Sequence, residues 1–194
     1  SQVVNYNACH DNNTLFDKIA IANGKDKFED NVKKNKLAAA VMFTSQGTPF
    51  MMSGEEILRT KVKEDTATDA RVLGADSYDS NSYKSGDKVN SIKWDTLSEN
   101  AYKNVYEYYK GLIAFRKAHA GFSMTNRADV EKYLTFTEDT PENVTAFTIS
   151  GNYKKEKSKG IYVIYNPTST DVEVTLPAGE WNIYVNGEKA GTES

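Results

Sequence analysis

Four consecutive polar side chains, His10-Asp11-Asn12-Asn13, offer the most chemistry of any stretch in the sequence. They follow residues 3–8, a β-branched and aromatic run that predicts a strand, so they would lie where that strand ends. In parallel α/β architectures, ligands bind at the C-terminal ends of the strands. An Asp-Asn-Asn cluster is also typical of turns and helix caps. A His-Asp pair can equally serve catalysis, metal binding or a plain hydrogen bond, so these residues alone leave the chemistry open.

The composition excludes several classes of function. A chain of 194 residues, 39% hydrophobic and 26% charged, can form one domain of ordinary size or two small ones. The net charge of −3 gives no basic patch, so no nucleic-acid partner is expected. No apolar run approaches the roughly 20 residues that a membrane span needs. The single Cys9 cannot form an internal disulfide, and its place in a predicted strand favours a small buried side chain.

The first half of the sequence alternates strands and helices. A short helix capped by Asn13 or Thr14 is predicted through Ile21, and a longer one covers residues 28–46. The longer helix should bury one face, made of Val32, Leu37, Ala40, Val41 and Thr44. Its exposed residues should include Asp30, Lys33, Lys34 and Lys36. Residues 48–54 indicate a buried strand, followed by a helical turn. Two such units cannot cover both faces of a sheet, so this half resembles the end of a larger α/β domain.

The second half begins with a polar stretch and ends in strands. Residues 59–90 have little periodicity, and a loop of that length is usually functional or mobile. Residues 96–99 form a capping box for a long helix that ends at Gly121, with His119 favoured as a helix-end residue over a catalytic one. After Gly121 the apolar period changes to two. Strands are predicted at residues 130–136, 144–149, 161–165, 172–176 and 180–185, with a type I′ turn at residues 186–187.

Several segments together resemble one family. Residues 4–12, with the sequence VNYNACHDN, resemble the fourth conserved region of the α-amylase superfamily of glycoside hydrolases, on the seventh strand of a (β/α)8 barrel. Residues 46–56 are similar to the eighth-strand segment of the same barrel. Residues 59–61 and 81–90 narrow the resemblance to type I pullulanases, which cleave α-1,6 branch linkages. Residues 116–119 and the β region after them are similar to the C-terminal domain of the same enzymes.

The resemblance implies an α/β plus all-β fold. Residues 1–121 would be the last two βα units of a catalytic (β/α)8 barrel, and residues 122–194 a C-terminal antiparallel β-sandwich. The implied partners are an α-glucan substrate and the missing N-terminal part of the same enzyme, and the implied location is extracellular or at the cell surface. The nucleophile and acid/base of the family's retaining mechanism belong to segments on the fourth and fifth strands, which this chain lacks. The chain alone is therefore expected to be inactive.

The resemblance also implies site residues. Asp11 matches the third carboxylate of the superfamily, which stabilises the transition state, and His10 matches its neighbour that hydrogen-bonds the sugar in the −1 subsite. Asn12 is assigned to substrate binding beside them. Asp87 and Asn90 match loop residues near outer subsites, where we expect contact with glucan. Ser91 stands where these enzymes often have Arg.

Some residues and functions have competing interpretations. The acidic loop with Asp65, Asp69, Asp76 and Asp79 could bind Ca²⁺, although its irregular spacing favours a solvated loop, and no other cofactor or metal is expected. Glu55 and Glu56 are interpreted as structural, not as a catalytic pair. A non-catalytic carbohydrate-binding module, with exposed Tyr and Trp stacking on sugars, is one alternative function. A fragment of a related amylase with a different bond preference is another.

Overall fold

A computed structural model of the chain describes residues 3–24, 26–66, 73–154 and 156–193. It contains a two-stranded parallel sheet flanked by helices and a three-stranded antiparallel sheet. In chain order the helices and strands are β1 Val4–Tyr6, α1 Leu15–Ala22, α2 Phe28–Thr44, β2 Thr48–Phe50, α3 Asp87–Asn90, α4 Asn100–Ala118, α5 Arg127–Tyr133, β3 Leu134–Phe136, β4 Thr145–Ser150 and β5 Gly160–Tyr165. Short 3₁₀ segments lie at Glu55–Ile57, Ala75–Ser77, Ser82–Lys84, Trp94–Ser98 and Ala120–Phe122.

The parallel sheet pairs β1 with β2, in the register Val4 with Thr48 and Tyr6 with Phe50. The chain segments that follow the two strands therefore leave the sheet at the same edge. The prediction that the second strand is buried was wrong, because the Phe50 side chain is 48% exposed. Val4, Tyr6 and Phe50 are all exposed, and Phe50 packs edge-to-face on Tyr6 with ring centroids 6.3 Å apart.

Helices α1, α2 and α4 build the first hydrophobic core. The predicted cap of α1 is confirmed: the Asp17 backbone N–H donates to Thr14 Oγ1, and the Thr14 N–H donates to the Asp17 carboxylate. The predicted buried face of α2 was partly wrong, because Lys36 is 7% exposed whereas Val41 is 38% exposed. Lys36 lies over the Tyr108 ring of α4, 5.0 Å from its centroid, which explains how a charged side chain came to face the neighbouring helix.

Helix α4 begins later than its sequence signal suggests. The predicted capping box does not form, since Thr96 Oγ1 donates instead to the Lys93 carbonyl within the preceding 3₁₀ segment. Helix α4 buries an apolar stripe of Val105, Tyr108, Leu112 and Phe115, together with Tyr109. At its C-terminal end, His119 Nδ1 lies 2.9 Å from Glu156 Oε1, so this histidine joins the helix to the β4–β5 connection.

The antiparallel sheet has the order β3-β4-β5. The predicted strand at residues 130–136 is only half correct, because α5 runs to Tyr133 and is capped by the Asn126 side chain. The strands predicted at residues 172–176 and 180–185 were wrong; in the described chain this region has one antiparallel bridge, between Val185 and Ala190. Alternating side chains do not suffice for a strand, which also needs a paired backbone. Here Trp181 Nε1 donates to the Pro177 carbonyl in a local turn.

Arg116, near the end of α4, ties the two parts of the chain together. One guanidinium nitrogen donates to the carbonyls of Phe43 and Ser45 at 2.7 and 2.8 Å. The other donates to the carbonyls of Gly47 and Phe122 at 2.6 and 2.8 Å. The planar guanidinium of Arg116 therefore satisfies carbonyls in the turn that leads into β2 and fixes that turn to Phe122, which is buried in a second hydrophobic cluster with Phe147 and Ile149.

Candidate functional site

A cavity of about 600 Å³ opens at the edge of the parallel sheet where both strands end. It is lined by segments that are far apart in sequence, namely residues 10–12, residues 50–53, Arg59 and Lys61, residues 80–83, and Asn90. The structure thus brings together four of the five site residues predicted from the sequence, His10, Asp11, Asn12 and Asn90. Asp87 is exposed at the start of α3 and is not among the residues that line this cavity.

His10 and Asp11 form an open polar corner of the cavity. His10 Nε2 and Asp11 Oδ2 are 3.5 Å apart, and the side chains are 89% and 69% exposed. Asn12 follows with a φ of 60°, in the left-handed region that asparagine tolerates better than most residues. Because the His10 ring and the Asp11 carboxylate are exposed to solvent, a ligand can contact them without breaking buried hydrogen bonds.

Lys61 lies directly behind this corner. Its side chain is 1% exposed, and its Nζ donates to the carbonyls of His10 and Asn12 at 2.7 and 2.9 Å. Burial lowers the pKa of Lys61 and the nearby Arg59 lowers it further, while Asp17, Asp79 and Asp11 raise it. The ammonium therefore bridges the backbone on both sides of Asp11.

Asp17 fixes the segment that carries Lys61. The Lys61 backbone N–H donates to Asp17 Oδ2 at 3.0 Å, and Asp17 is fully buried. Burial raises the pKa of Asp17 to about 6, against the lowering effect of the hydrogen bonds from Lys61 and Thr14. The same carboxylate thus caps α1 and holds the wall of the cavity.

The opposite wall is the turn from residue 79 to residue 90. Asn90 Nδ2 donates to the carbonyls of Ser82 and Ser85, both at 2.8 Å, so the amide nitrogen of this predicted site residue is engaged within the turn. Asp79 accepts from Ser85 Oγ at 2.6 Å and from the Asn81 N–H at 2.9 Å. The hydrogen bond from Ser85 lowers the pKa of Asp79.

Ten of the fourteen residues that line the cavity were not predicted as site residues, and three of them, Arg59, Lys61 and Tyr83, bear on its geometry. Arg59 donates to the Ser53 carbonyl at 3.0 Å and to the Asn90 carbonyl, which joins the two walls. Lys61 supports the polar corner, and Tyr83 presents a ring that is 74% exposed. Arg59 and Lys61 are two cations in a segment otherwise rich in acidic and hydroxyl residues. Their acceptors at Asn90 and in residues 10–12, however, lie 31 to 51 residues away in the chain.

Across the described ranges of the chain, no group of three or more His, Cys, Asp or Glu side chains could hold a metal ion, and Asp69 lies outside those ranges.

Neither Glu55 nor Glu56 lines the cavity. Glu55 is 2% exposed, which raises its pKa to about 7, and Glu56 Oε2 accepts from the Gly54 N–H. Among the described helices, none is long and apolar enough to cross a membrane.

Comparison with known proteins identifies the family of the chain. Residues 130–189 match the family model described as the all-beta domain of pullulanase. The pullulanase of Bacillus subtilis (strain 168) is 32% identical over 177 residues, which cover 91% of this chain. The solved pullulanase from Bacillus acidopullulyticus superposes on 98% of the chain with a TM-score of 0.86 and 38% identity. The chain belongs to the pullulanase family.

The chain is homologous to these debranching glycoside hydrolases over most of its own length, and it spans about a fifth of theirs, 22% and 21% for the two Bacillus enzymes. The pullulanase from Anoxybacillus sp. LM18-11, solved in complex with maltotetraose, matches 92% of the chain and 23% of its own length, with 32% identity and a TM-score of 0.78. The family predicted from the sequence motifs is confirmed.

Proposed function

We propose that this chain is part of a debranching enzyme that cleaves α-1,6-glucosidic bonds in pullulan and branched α-glucans. It would supply one corner of the −1 subsite. The observation that carries the proposal is the open corner of His10, Asp11 and Asn12 at the C-terminal edge of a parallel strand pair, facing a cavity. The homology to pullulanases and the maltotetraose bound to one relative support a glucan as the ligand.

The proposed architecture is the last two βα units of a (β/α)8 barrel in residues 1–121 and an antiparallel β-sandwich in residues 122–194. The parallel pairing of β1 with β2 and the antiparallel sheet of β3 to β5 support it. Three apolar side chains of the parallel sheet, Val4, Tyr6 and Phe50, are 56%, 59% and 48% exposed. The missing strands of the same enzyme would cover this surface and remove the unpaired edge. Such an enzyme, acting on a polymeric glucan, would work outside the cell or at its surface.

In the proposed retaining mechanism, Asp11 stabilises the transition state and does not attack the sugar. As the glucose ring flattens toward an oxocarbenium ion, hydrogen bonds from its hydroxyls to a fixed carboxylate strengthen and favour the distorted ring. The His10 ring, 3.5 Å from that carboxylate, would donate to an adjacent hydroxyl. The nucleophile and acid/base would come from strands outside this chain.

The other predicted residues would bind sugars beyond the −1 subsite. Asn90 lines the cavity, and its side-chain oxygen is the atom available to a sugar, because its nitrogen holds the turn. Asp87, exposed on α3, would contact a glucose unit of the glucan farther from the −1 subsite. The exposed ring of Tyr83 offers an apolar face on which a pyranose can stack.

A titration of the ¹⁵N-labelled chain with maltotetraose, followed by NMR, tests this placement. We expect the largest shifts at residues 10–12, Tyr83 and Asn90, and weaker binding in Asp11→Asn and Asp87→Ala. Binding that is lost in Trp181→Ala or Tyr153→Ala but kept in Asp87→Ala would favour the carbohydrate-binding module. Tyr153 is only 2% exposed, which argues against a stacking role. Hydrolysis of amylose but not pullulan by the assembled enzyme would favour the related amylase.

A further inference from the structure

Lys61 is unusual because its ammonium is buried yet serves an exposed site. Nζ donates to the carbonyls of His10 and Asn12, which flank Asp11 on both sides. Lys61 lines the cavity, but it is only 1% exposed, and its ammonium is engaged by these two carbonyls. Any influence of Lys61 on a ligand therefore passes through the backbone of residues 10–12.

The backbone of residues 10–12 needs such a support. It lies past the last paired residue of β1, so its carbonyls accept no ladder hydrogen bonds, and Asn12 is in the left-handed region. A single ammonium that bridges two carbonyls fixes their separation and direction. The direction of the Asp11 side chain, which leaves the backbone between them, is fixed as a consequence.

Lys61 is itself held rigidly. Its N–H donates to the fully buried Asp17, which is locked in the capping box with Thr14 at the start of α1. Helix α1, residue 61 and the corner of the cavity are thus one connected unit.

We infer that Lys61 is a positioning residue that orients Asp11 and His10 toward the ligand. The inference rests on the proposed function for the ligand, but the contact geometry stands independently of it. Loss of the ammonium should leave the cavity in place and misdirect its polar corner.

The test compares Lys61→Met with a matched control, Lys36→Met, in the full 194-residue chain. Lys36 is also buried, and its Nζ also bridges two carbonyls, Gly187 and Glu188, both at 3.3 Å, but it does not line the cavity. We expect Lys61→Met to weaken maltotetraose binding about tenfold or more, the order expected for losing hydrogen bonds from a charged donor. Lys36→Met should bind as the wild type does, although both lose thermal stability.

Amide hydrogen exchange supplies a second reading that needs no ligand. Exchange at residues 10–13 should accelerate in Lys61→Met and not in Lys36→Met. If Lys61→Met does not fold, Lys61→Gln, which keeps one donor, replaces it, with an intermediate effect expected in both measurements.

Two results would overturn the inference. One is that the folded Lys61 variant binds maltotetraose like the wild type while Asp11→Asn loses binding, which leaves the proposed function intact. The other is unchanged exchange at residues 10–13. Absence of binding by the wild type would count against the proposed function instead, and the exchange data would then decide the positioning role alone.

Discussion

Three carboxylates near the ends of β1 and β2 have different environments, and the differences assign them different tasks. Asp17 is fully buried and hydrogen-bonded, Glu55 is 2% exposed, and the Asp11 side chain is 69% exposed. Asp17 holds local structure, and Asp11 is free to meet a ligand. Burial raises the pKa of Glu55 more than backbone hydrogen bonds from Met52 and Ala8 lower it, so this residue should cost stability when ionised.

The first prediction concerns Glu55 and pH. Its pKa is raised from 4.5 to about 7 in the folded chain, so between these values the folded state keeps a proton that the unfolded state has lost. Stability is therefore full below pH 4.5 and falls as the pH rises through 7. Glu55→Gln should remove most of that loss, about 3 kcal/mol at pH 8, in urea unfolding across pH 4.5 to 8. Glu29→Gln, at an exposed site on α2, should leave the pH profile unchanged.

The second prediction concerns Asp17. Asp17→Ala removes an acceptor for both the Thr14 and Lys61 N–H groups, and we expect a loss of about 2 kcal/mol in the free energy of unfolding. Asp30→Ala, an exposed acidic residue in the first turn of α2, is the matched control and should cost less than about 0.5 kcal/mol. Equal losses in the two variants would show that Asp17 has no special role.

At the scale of elements, Arg116 explains how helix α4 is fixed to the turn before β2. Its guanidinium donates to four carbonyls, of Phe43, Ser45, Gly47 and Phe122. An ammonium cannot reproduce this planar fork. We expect Arg116→Lys to lower the free energy of unfolding by about 2 kcal/mol, measured by urea denaturation. The control Arg127→Lys, at a side chain 90% exposed, should change it by less than about 0.5 kcal/mol. If Arg116→Lys lowers the free energy of unfolding no more than Arg127→Lys does, Arg116 does not have this role.

The elements predicted correctly are those whose stability is encoded locally. The cap of α1, predicted at Asn13 or Thr14 and found at Thr14, and the alternating residues of β4 and β5 each contain their own signal. Two of the failures arise where distant residues decide. Lys36 is buried because α4 and the turn at residues 187–188 receive it, and residues 172–185 lack the paired backbone that their alternation suggested.

The site followed the same rule. His10, Asp11 and Asn12 were predictable because they end a strand, and Asn90 because of its motif. Lys61 and Arg59 were missed as supports, since their acceptors in residues 10–12 and at Asn90 lie 31 to 51 residues away and the local sequence does not indicate them. Asp87 was predicted from the same motif as Asn90 but lies outside the cavity lining.

The proposed (β/α)8 barrel needs further strands beside β1 and β2. The parallel sheet has two strands in the described residues and exposes Val4, Tyr6 and Phe50 on one side. The chain covers about a fifth of its relatives. A companion polypeptide carrying the missing strands should bind this surface, and Tyr6→Lys should weaken that binding in a pull-down of the two purified pieces. Val3→Lys, at an exposed residue before β1, is the control for added charge.

Release of reducing sugar from pullulan tests whether this chain supplies Asp11 to a debranching active site. Under the proposed function, the chain alone should release none above the buffer background, because the nucleophile and acid/base would lie on other strands. Adding the companion polypeptide should restore release, and Asp11→Asn in this chain should abolish it. Release of reducing sugar by the purified 194-residue chain alone would contradict the account.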